Sequence, residues 1–224
     1  MTETVQSVIV ANGPDFDAAP FRALLEQTDL LIAADGGANA LYQIGLLPQL
    51  VIGDLDSINP ETDAWLEANA VELQRFPAEK DETDLELALL LAAQRGAKRI
   101  IVLAAFGGRW DQSLANMALL ALPELEGCDV RLLDQEQQAF LIRTEREIEG
   151  EVGDTLSLLP LGGFAQGVST QGLYYPLYDA TLHYARARGI SNVIIETPAK
   201  VWVREGLLLA IHTPKRAGIF TKKA

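Results

Sequence analysis

Six short apolar runs, at residues 5–10, 30–34, 50–52, 71–76, 100–103 and 130–133, alternate with helical patterns along the first 133 residues. Each run is too short for a helix and is broken by Gly, Asp or Pro. Between them lie stretches with helical signals: residues 21–27 after Pro20, 38–44 before Gly45, 61–68, and 111–122. Thr83-x-x-Glu86 reads as a capping box, after which Leu85, Ala88, Leu89 and Ala92 mark one helical face. Continuous apolar strands alternating with helices predict a mainly parallel, Rossmann-like sheet covered by flanking helices.

From about Gln135 the texture changes. Short runs at 140–142, 156–159, 192–196, 201–203 and 207–212 are separated by Gly, Pro and charged pairs, and no helical period survives. Glu205-Gly206 reads as a hairpin turn joining two of these runs. The chain therefore divides into an α/β domain over residues 1–133 and an all-β sandwich domain over 134–224.

Polar residues of the first domain gather where its strands end. Asp35 follows the second run and Asp54 and Asp56 the third; Lys80, Asp81 and Asp84 follow the fourth, and Arg109 and Asp111 the fifth. In open α/β sheets ligands bind outside the carboxyl ends of the strands, so residues scattered in sequence converge there. Asp54 and Asp56, two residues apart on an extended segment, face a common point, where two bare carboxylates repel. Mg²⁺ removes that conflict, since it takes one or two carboxylates together with waters and substrate phosphate oxygens. Asp also favours turns and helix starts for local reasons, and that reading of each acid stays open. Gly36-Gly37 and Gly107-Gly108, each before a helix start, are positions where backbone N–H groups can approach a phosphate. Lys80 and Arg109 are the basic residues of these loops and natural partners for phosphate oxygens, or for a neighbouring Asp.

Charge and composition narrow the function classes. Residues 1–133 carry 21 Asp+Glu against 8 Lys+Arg, whereas 134–224 carry 10 of each. Nonspecific nucleic-acid binding rests on Lys and Arg, so no nucleic-acid partner is expected. Lys215, Arg216, Lys222 and Lys223 read as a solvated end. No apolar stretch is long enough for a membrane span, and Met1 to Thr4 show no basic region before an apolar core, so neither membrane nor secretory signal is expected. The single cysteine, Cys128, leaves no disulfide framework and points to a cytoplasmic protein. There is no G-x-G-x-x-G and no Walker P-loop. His183 and His212 fall in the β domain and read as surface or strand residues.

Ala34-Asp35-Gly36-Gly37-Ala38-Asn39, Gly53-Asp54-Leu55-Asp56-Ser57, Lys80-Asp81-Glu82-Thr83-Asp84 and Gly107-Gly108-Arg109-Trp110-Asp111-Gln112, in that order and spacing, resemble the thiamine pyrophosphokinase family. The resemblance continues through the stretch from Thr170 to Leu177 and through Ser191-Asn192. It implies an α/β domain followed by a β-sandwich, a homodimer with sites shared between chains, and Mg²⁺-dependent transfer of pyrophosphate from ATP to the thiamine hydroxyl with release of AMP. It also implies Asp54, Asp56 and Asp84 at Mg²⁺ and the triphosphate. Asp35, Gly36, Gly37, Lys80, Asp81, Arg109, Asp111 and Gln112 are then expected around the nucleotide and the reacting centre, with Asp111 orienting or deprotonating the hydroxyl. Tyr175, where some members carry a tryptophan, is expected to stack on the vitamin, with Ser191 and Asn192 beside it. A related pyrophosphokinase acting on another alcohol, such as a pterin, and a non-catalytic sensor of nucleotide or thiamine remain alternatives.

Overall fold

A computed structural model describes residues 5–216, so the expectations for Met1 to Thr4 and for Lys222 and Lys223 lie outside the described residues. The chain divides into two compact units between Asp134 and Gln135.

The first unit is an open parallel sheet of six strands: β1 (Gln6–Val10), β2 (Leu30–Ala34), β3 (Leu50–Gly53), β4 (Glu72–Arg75), β5 (Arg99–Leu103) and β6 (Asp129–Leu133). Their order in space is β4-β3-β2-β1-β5-β6. Every neighbouring pair is parallel, with Ile9 opposite Ile32 on one side of β1 and Val102 on the other. The central strands are buried over almost their whole length, which is why they read as unbroken Val, Ile, Leu and Ala rather than as an alternating pattern. The chain builds outward from β1 to β4, then returns to lay β5 on the other side of β1. Strand order reverses there, and at such a reversal the loops leaving adjacent strands diverge and open a crevice.

Five helices connect the strands: α1 (Arg22–Glu26), α2 (Gly37–Gln43), α3 (Pro60–Ala68), α4 (Asp84–Gln94) and α5 (Trp110–Leu119). Pro60 sits at the first position of α3, where its missing N–H is no loss, and Glu61 and Asp63 favour the positive end of the helix dipole. The expected Thr83 cap of α4 forms, its hydroxyl accepting from Glu86 N at 3.2 Å. Leu85, Ala88, Leu89 and Ala92 form the buried face of that helix, as their spacing predicts.

The second unit is β-rich: β7 (Gln138–Ile142), β8 (Glu145–Ile148), β9 (Thr155–Gln171), β10 (Ala180–Leu182), β11 (Asn192–Val193), β12 (Ala199–Trp202) and β13 (Glu205–Thr213). The order β7-β13-β9-β12-β8 is antiparallel throughout, and β10 and β11 also pair with β9. The long strand β9 alternates buried and partly exposed residues with period two over its first half, placing Leu156 and Leu158 in a core with Phe140, Ile142, Val201 and Leu208. One expectation is corrected here. Glu205-Gly206 is not a hairpin turn, because β12 and β13 do not pair with each other; both pair with β9, which runs between them. A register shift between Glu205 and Leu207 accounts for the glycine that mimicked a turn.

His212 of β13 is fully buried, and its Nε2 lies 2.8 Å from Asp154 Oδ2, while the Gln138 amide lies 3.2 Å from Nδ1. An amide nitrogen only donates, so Nδ1 accepts and the ring proton sits on Nε2, facing the carboxylate. Asp154 also accepts from the backbone N–H groups of Glu151 and Lys215, each at 2.8 Å. Burial pushes the Asp154 carboxyl up, but the two N–H groups and His212 together hold it below the usual carboxylate range. A depressed folded value stabilises the protein above the unfolded value near 3.9, and that stabilisation is lost as pH falls through the folded value. Asp154→Asn is therefore expected to lower stability at neutral pH and to flatten the acid limb of a pH series of chemical denaturations. An acid limb identical to that of the parent would show that Asp154 contributes no pH dependence.

Candidate active site

The cleft opens at the reversal point, along the carboxyl edge of the first sheet. It has a volume of about 760 Å³ and is walled by Asn12 to Pro14 after β1, Asp35 after β2, Asp54, Asp56 and Ser57 after β3, Lys80, Thr83, Asp84 and Leu85 before and into α4, and Ala104 to Arg109 after β5. Gln112 and Asn116 of α5 complete the wall. Volumes of this order hold drug-sized and nucleotide-sized ligands.

Three carboxylates converge inside it. Asp35, Asp54 and Asp84 each present an oxygen, all within 4.8 Å of one another. Asp35 is buried; its two oxygens accept from Asn12 Nδ2 at 3.2 Å and from Ser57 N at 3.3 Å, which fix its rotamer. Asp54 folds into a local turn by accepting from Asp56 N at 3.3 Å. Asp84, at the first position of α4, is brought close by Gly53, where a Cβ would lie 3.0 Å from the Asp84 carboxyl and 3.2 Å from Asp35 Cβ. Gly53 also has φ +147°, a conformation open to glycine and strained for other residues. Asp35 (φ 48°), Leu55 (φ 66°) and Ala104 (φ 59°) hold left-handed backbone without being glycine. Strain of this kind persists where the surrounding fold over-determines it, and here it gathers at the strand ends that form the cleft.

Lys80 Nζ lies 3.0 Å from Asp84 Oδ1, an ion pair rather than a well-directed hydrogen bond, and Oδ1 is buried with no hydrogen-bond donor. Burial raises the Asp84 carboxyl above its ordinary value; Lys80 pulls it down, and the charges of Asp35 and Asp54 push it up again. An oxygen-only trio with a buried, under-satisfied oxygen fits a hard divalent cation such as Mg²⁺. Its members are Asp35, Asp54 and Asp84. Asp56 is exposed on the cleft wall, accepts from Ser57 Oγ at 3.0 Å, and is not part of the trio.

The other expected residues divide. Lys80, Arg109 and Gln112 line the cleft. Asp111 is exposed outside the lining and pairs with Arg109 at 2.5 Å; this guanidinium holds the Asp111 carboxyl below the usual range, which makes it a weak base and a brace for Arg109. Asp81 is exposed and also outside the lining. Gly36 and Gly37 are buried and stand outside the cleft lining. Their smallness serves packing: a Cβ on Gly36 would meet Asn12 Oδ1 at 2.3 Å, and one on Gly37 the Val10 carbonyl oxygen at 2.0 Å.

In the second unit, Tyr175 is 63% exposed and makes an edge contact with Tyr174, their ring centres 4.8 Å apart. Asn192 is buried, its Oδ1 accepting from Tyr175 N at 2.9 Å and its Nδ2 donating to the Tyr175 carbonyl at 2.8 Å. The amide thus braces the Tyr175 backbone, and its Oδ1 also accepts from Val193 N at 2.9 Å. Ser191 is exposed at φ 55°, with its N–H donating to Ser157 Oγ at 2.9 Å.

Sequence reasoning missed Asn12 and Asn116. Asn12 follows β1 as Asp35 follows β2, and Asn116 stands four residues after Gln112 on the same face of α5, donating to the Ala105 carbonyl at 2.7 Å. Both signals were present, the first as a polar strand end and the second as an i, i+4 polar pair.

An open parallel sheet with an acidic, oxygen-rich cleft at its reversal point, followed by a β-rich unit, defines a two-unit α/β class. Within it the chain belongs to the thiamin pyrophosphokinase family: residues 21–132 match "Thiamin pyrophosphokinase, catalytic domain" and residues 140–208 "Thiamin pyrophosphokinase, vitamin B1 binding domain". A thiamine pyrophosphokinase of Bacillus subtilis is 28% identical over 92% of this chain and 97% of its own length. The crystal structure of the enzyme from that organism superposes with a TM-score of 0.85, covering 94% of this chain and all of the other at 28% identity. A thiamin pyrophosphokinase family protein of Enterococcus faecalis superposes with a TM-score of 0.81 at 27% identity, covering 94% of this chain and all of the other.

Proposed function

We propose that the chain is a thiamine pyrophosphokinase, transferring the pyrophosphoryl group of ATP to the hydroxyl of thiamine and releasing AMP. The observation that carries this reading is the convergence of Asp35, Asp54 and Asp84 within 4.8 Å, in a nucleotide-sized cleft that also holds Lys80 and Arg109. Family membership supports the choice of alcohol.

The thiamine hydroxyl oxygen attacks the β-phosphorus in line; one P–O bond forms, the bond to the α-phosphate oxygen breaks, and AMP leaves while the hydroxyl proton passes to solvent. Such transfers need positioning and charge stabilisation rather than a covalent protein intermediate. Mg²⁺ held by Asp35, Asp54 and Asp84 would supply neutralisation of the polyphosphate charge. Asp56 lines the same cleft and would face the metal–triphosphate complex. Lys80 and Arg109 draw phosphate oxygens into line, with Asp111 bracing Arg109, and Gln112 is available to the nucleotide. Tyr175 offers the aromatic face for the vitamin, Ser191 a hydroxyl beside it, and Asn192 holds the Tyr175 backbone. A homodimer with sites shared between chains and a cytoplasmic location belong to the same proposal. The dimer is tested by analytical ultracentrifugation, expected to show a particle of two chains.

Incubation with Mg²⁺ and ATP is expected to yield AMP only when thiamine is present. AMP formation with a pterin alcohol instead would transfer the site to another substrate, and no AMP with any alcohol would favour a sensor. Tyr175→Ala is expected to weaken thiamine binding by about 1–3 kcal/mol, the scale of a stacked aromatic contact, with ATP binding nearly unchanged. Calorimetric titrations showing equal losses for both ligands would assign Tyr175 to folding.

A further inference from the structure

Lys80 stands at the acidic trio in a way that a simple phosphate-binding lysine does not require. Its ammonium lies 3.0 Å from Asp84 Oδ1, and its side chain is only 12% exposed although it lines the cleft. The spacing of four residues is not a helical pairing, because α4 begins at Asp84 and Lys80 belongs to the loop before it, which folds back to bring the two together. The ammonium also donates to the Pro77 carbonyl, at a long 3.3 Å. Asp84 Oδ1 is buried and has no hydrogen-bond donor, so Lys80 is the cation that compensates it. A lysine ammonium and a divalent cation on the same carboxylate would be like charges within a few ångströms, in a partly buried setting where repulsion is weakly screened.

We infer that Lys80 is the resident counter-ion of Asp84 in the metal-free chain, and that it leaves Asp84 when a divalent cation binds, becoming available to phosphate oxygens in the same cleft. The inference rests on the metal reading proposed above and adds an order of events: Lys80 engages phosphate only after the trio is loaded. A chain without metal keeps its lysine on the carboxylate and offers the nucleotide a more negative cleft. The exchange needs no travel out of the site, since Lys80 and Arg109 line one cleft.

The test is calorimetric titration of the nucleotide-free protein with Mg²⁺ and with Mn²⁺, comparing the parent with Lys80→Met and Arg109→Met. Because Lys80 competes, Lys80→Met is expected to bind the metal roughly fivefold or more tightly, while Arg109→Met, whose cation pairs with Asp111 and not with the trio, changes the constant by less than about twofold. Unchanged or weaker binding in Lys80→Met would overturn the exchange and make Lys80 a support for the trio. Equal tightening in both variants would overturn it in favour of a general field effect. Absence of metal binding in parent and variant alike would overturn the metal reading itself, and the exchange with it. The unsubstituted protein provides a second measurement: reductive methylation read by mass spectrometry is expected to modify Lys80 severalfold faster in Mg²⁺ than without it, and an equal rate would overturn the exchange.

Discussion

Asp54→Asn is expected to lower transfer activity by about a hundredfold or more, a loss of roughly 2.7 kcal/mol of transition-state stabilisation. Stability should stay within about 0.5 kcal/mol of the parent or rise slightly, because removing one of three crowded carboxylates relieves repulsion. Asp54 is the informative member of the trio. Asp35 is tied to Asn12 and Ser57, and Asp84 begins a helix and pairs with Lys80, so substitution of either disturbs other contacts. Asp54 accepts the local turn bond from Asp56 N, a bond that the Asn carbonyl keeps. Asp56→Asn, changing a wall residue rather than a trio member, is expected to lose less. Steady-state rates at saturating and limiting Mg²⁺, with chemical denaturation alongside, check both. Near-parental turnover of Asp54→Asn at low Mg²⁺ would remove Asp54 from the metal.

Gly37→Ala is expected to have the largest effect on the fold, about 3 kcal/mol or more of stability, as an overpacked backbone contact with no side chain to yield. The new methyl would lie 2.0 Å from the Val10 carbonyl oxygen and 3.0 Å from that of Ala11. Helix α2 begins directly against the end of β1, and relief requires moving the helix or the strand. The Asn12 that follows β1 orients Asp35, so the surviving folded fraction should also lose activity. Denaturant unfolding and activity per folded molecule are the measurements; a variant with parental stability would show that the close approach of α2 to β1 is not required.

The features that rest on local chemistry were legible in the sequence. Short apolar runs marked the central strands β1, β2, β3 and β5 because both faces of the sheet are buried there, whereas the edge strand β4 is polar and no residue of it is buried; Thr83 with Glu86 marked the start of α4 because a cap depends on residues three apart. Asp35, Asp54 and Asp84 could be placed at strand ends for the same reason. Their convergence depends on the strands they follow being neighbours in the order β4-β3-β2, which no local pattern encodes. Pairing Asp54 with Asp56 at the metal followed from alternation along an extended segment; Leu55, at φ 66°, breaks that extension and leaves Asp56 on the wall. Gly36 and Gly37 look the same in sequence whether a phosphate or a neighbouring strand requires their smallness, and only the position of Val10 and Asn12 distinguishes the two. Glu205-Gly206 has the composition of a turn, but β9 pairs with both flanking strands. The bonds that tie Asn192 to the Tyr175 backbone through both ends of its amide join residues 17 apart and have no local signature.

The most direct test of the proposed chemistry is ³¹P NMR of one reaction mixture containing the protein, Mg²⁺, ATP and thiamine. Attack at the β-phosphorus predicts AMP and thiamine diphosphate appearing in equal amounts, with no ADP and no thiamine monophosphate at any time. Stoichiometric ADP and thiamine monophosphate would mean attack at the γ-phosphorus and would contradict pyrophosphoryl transfer.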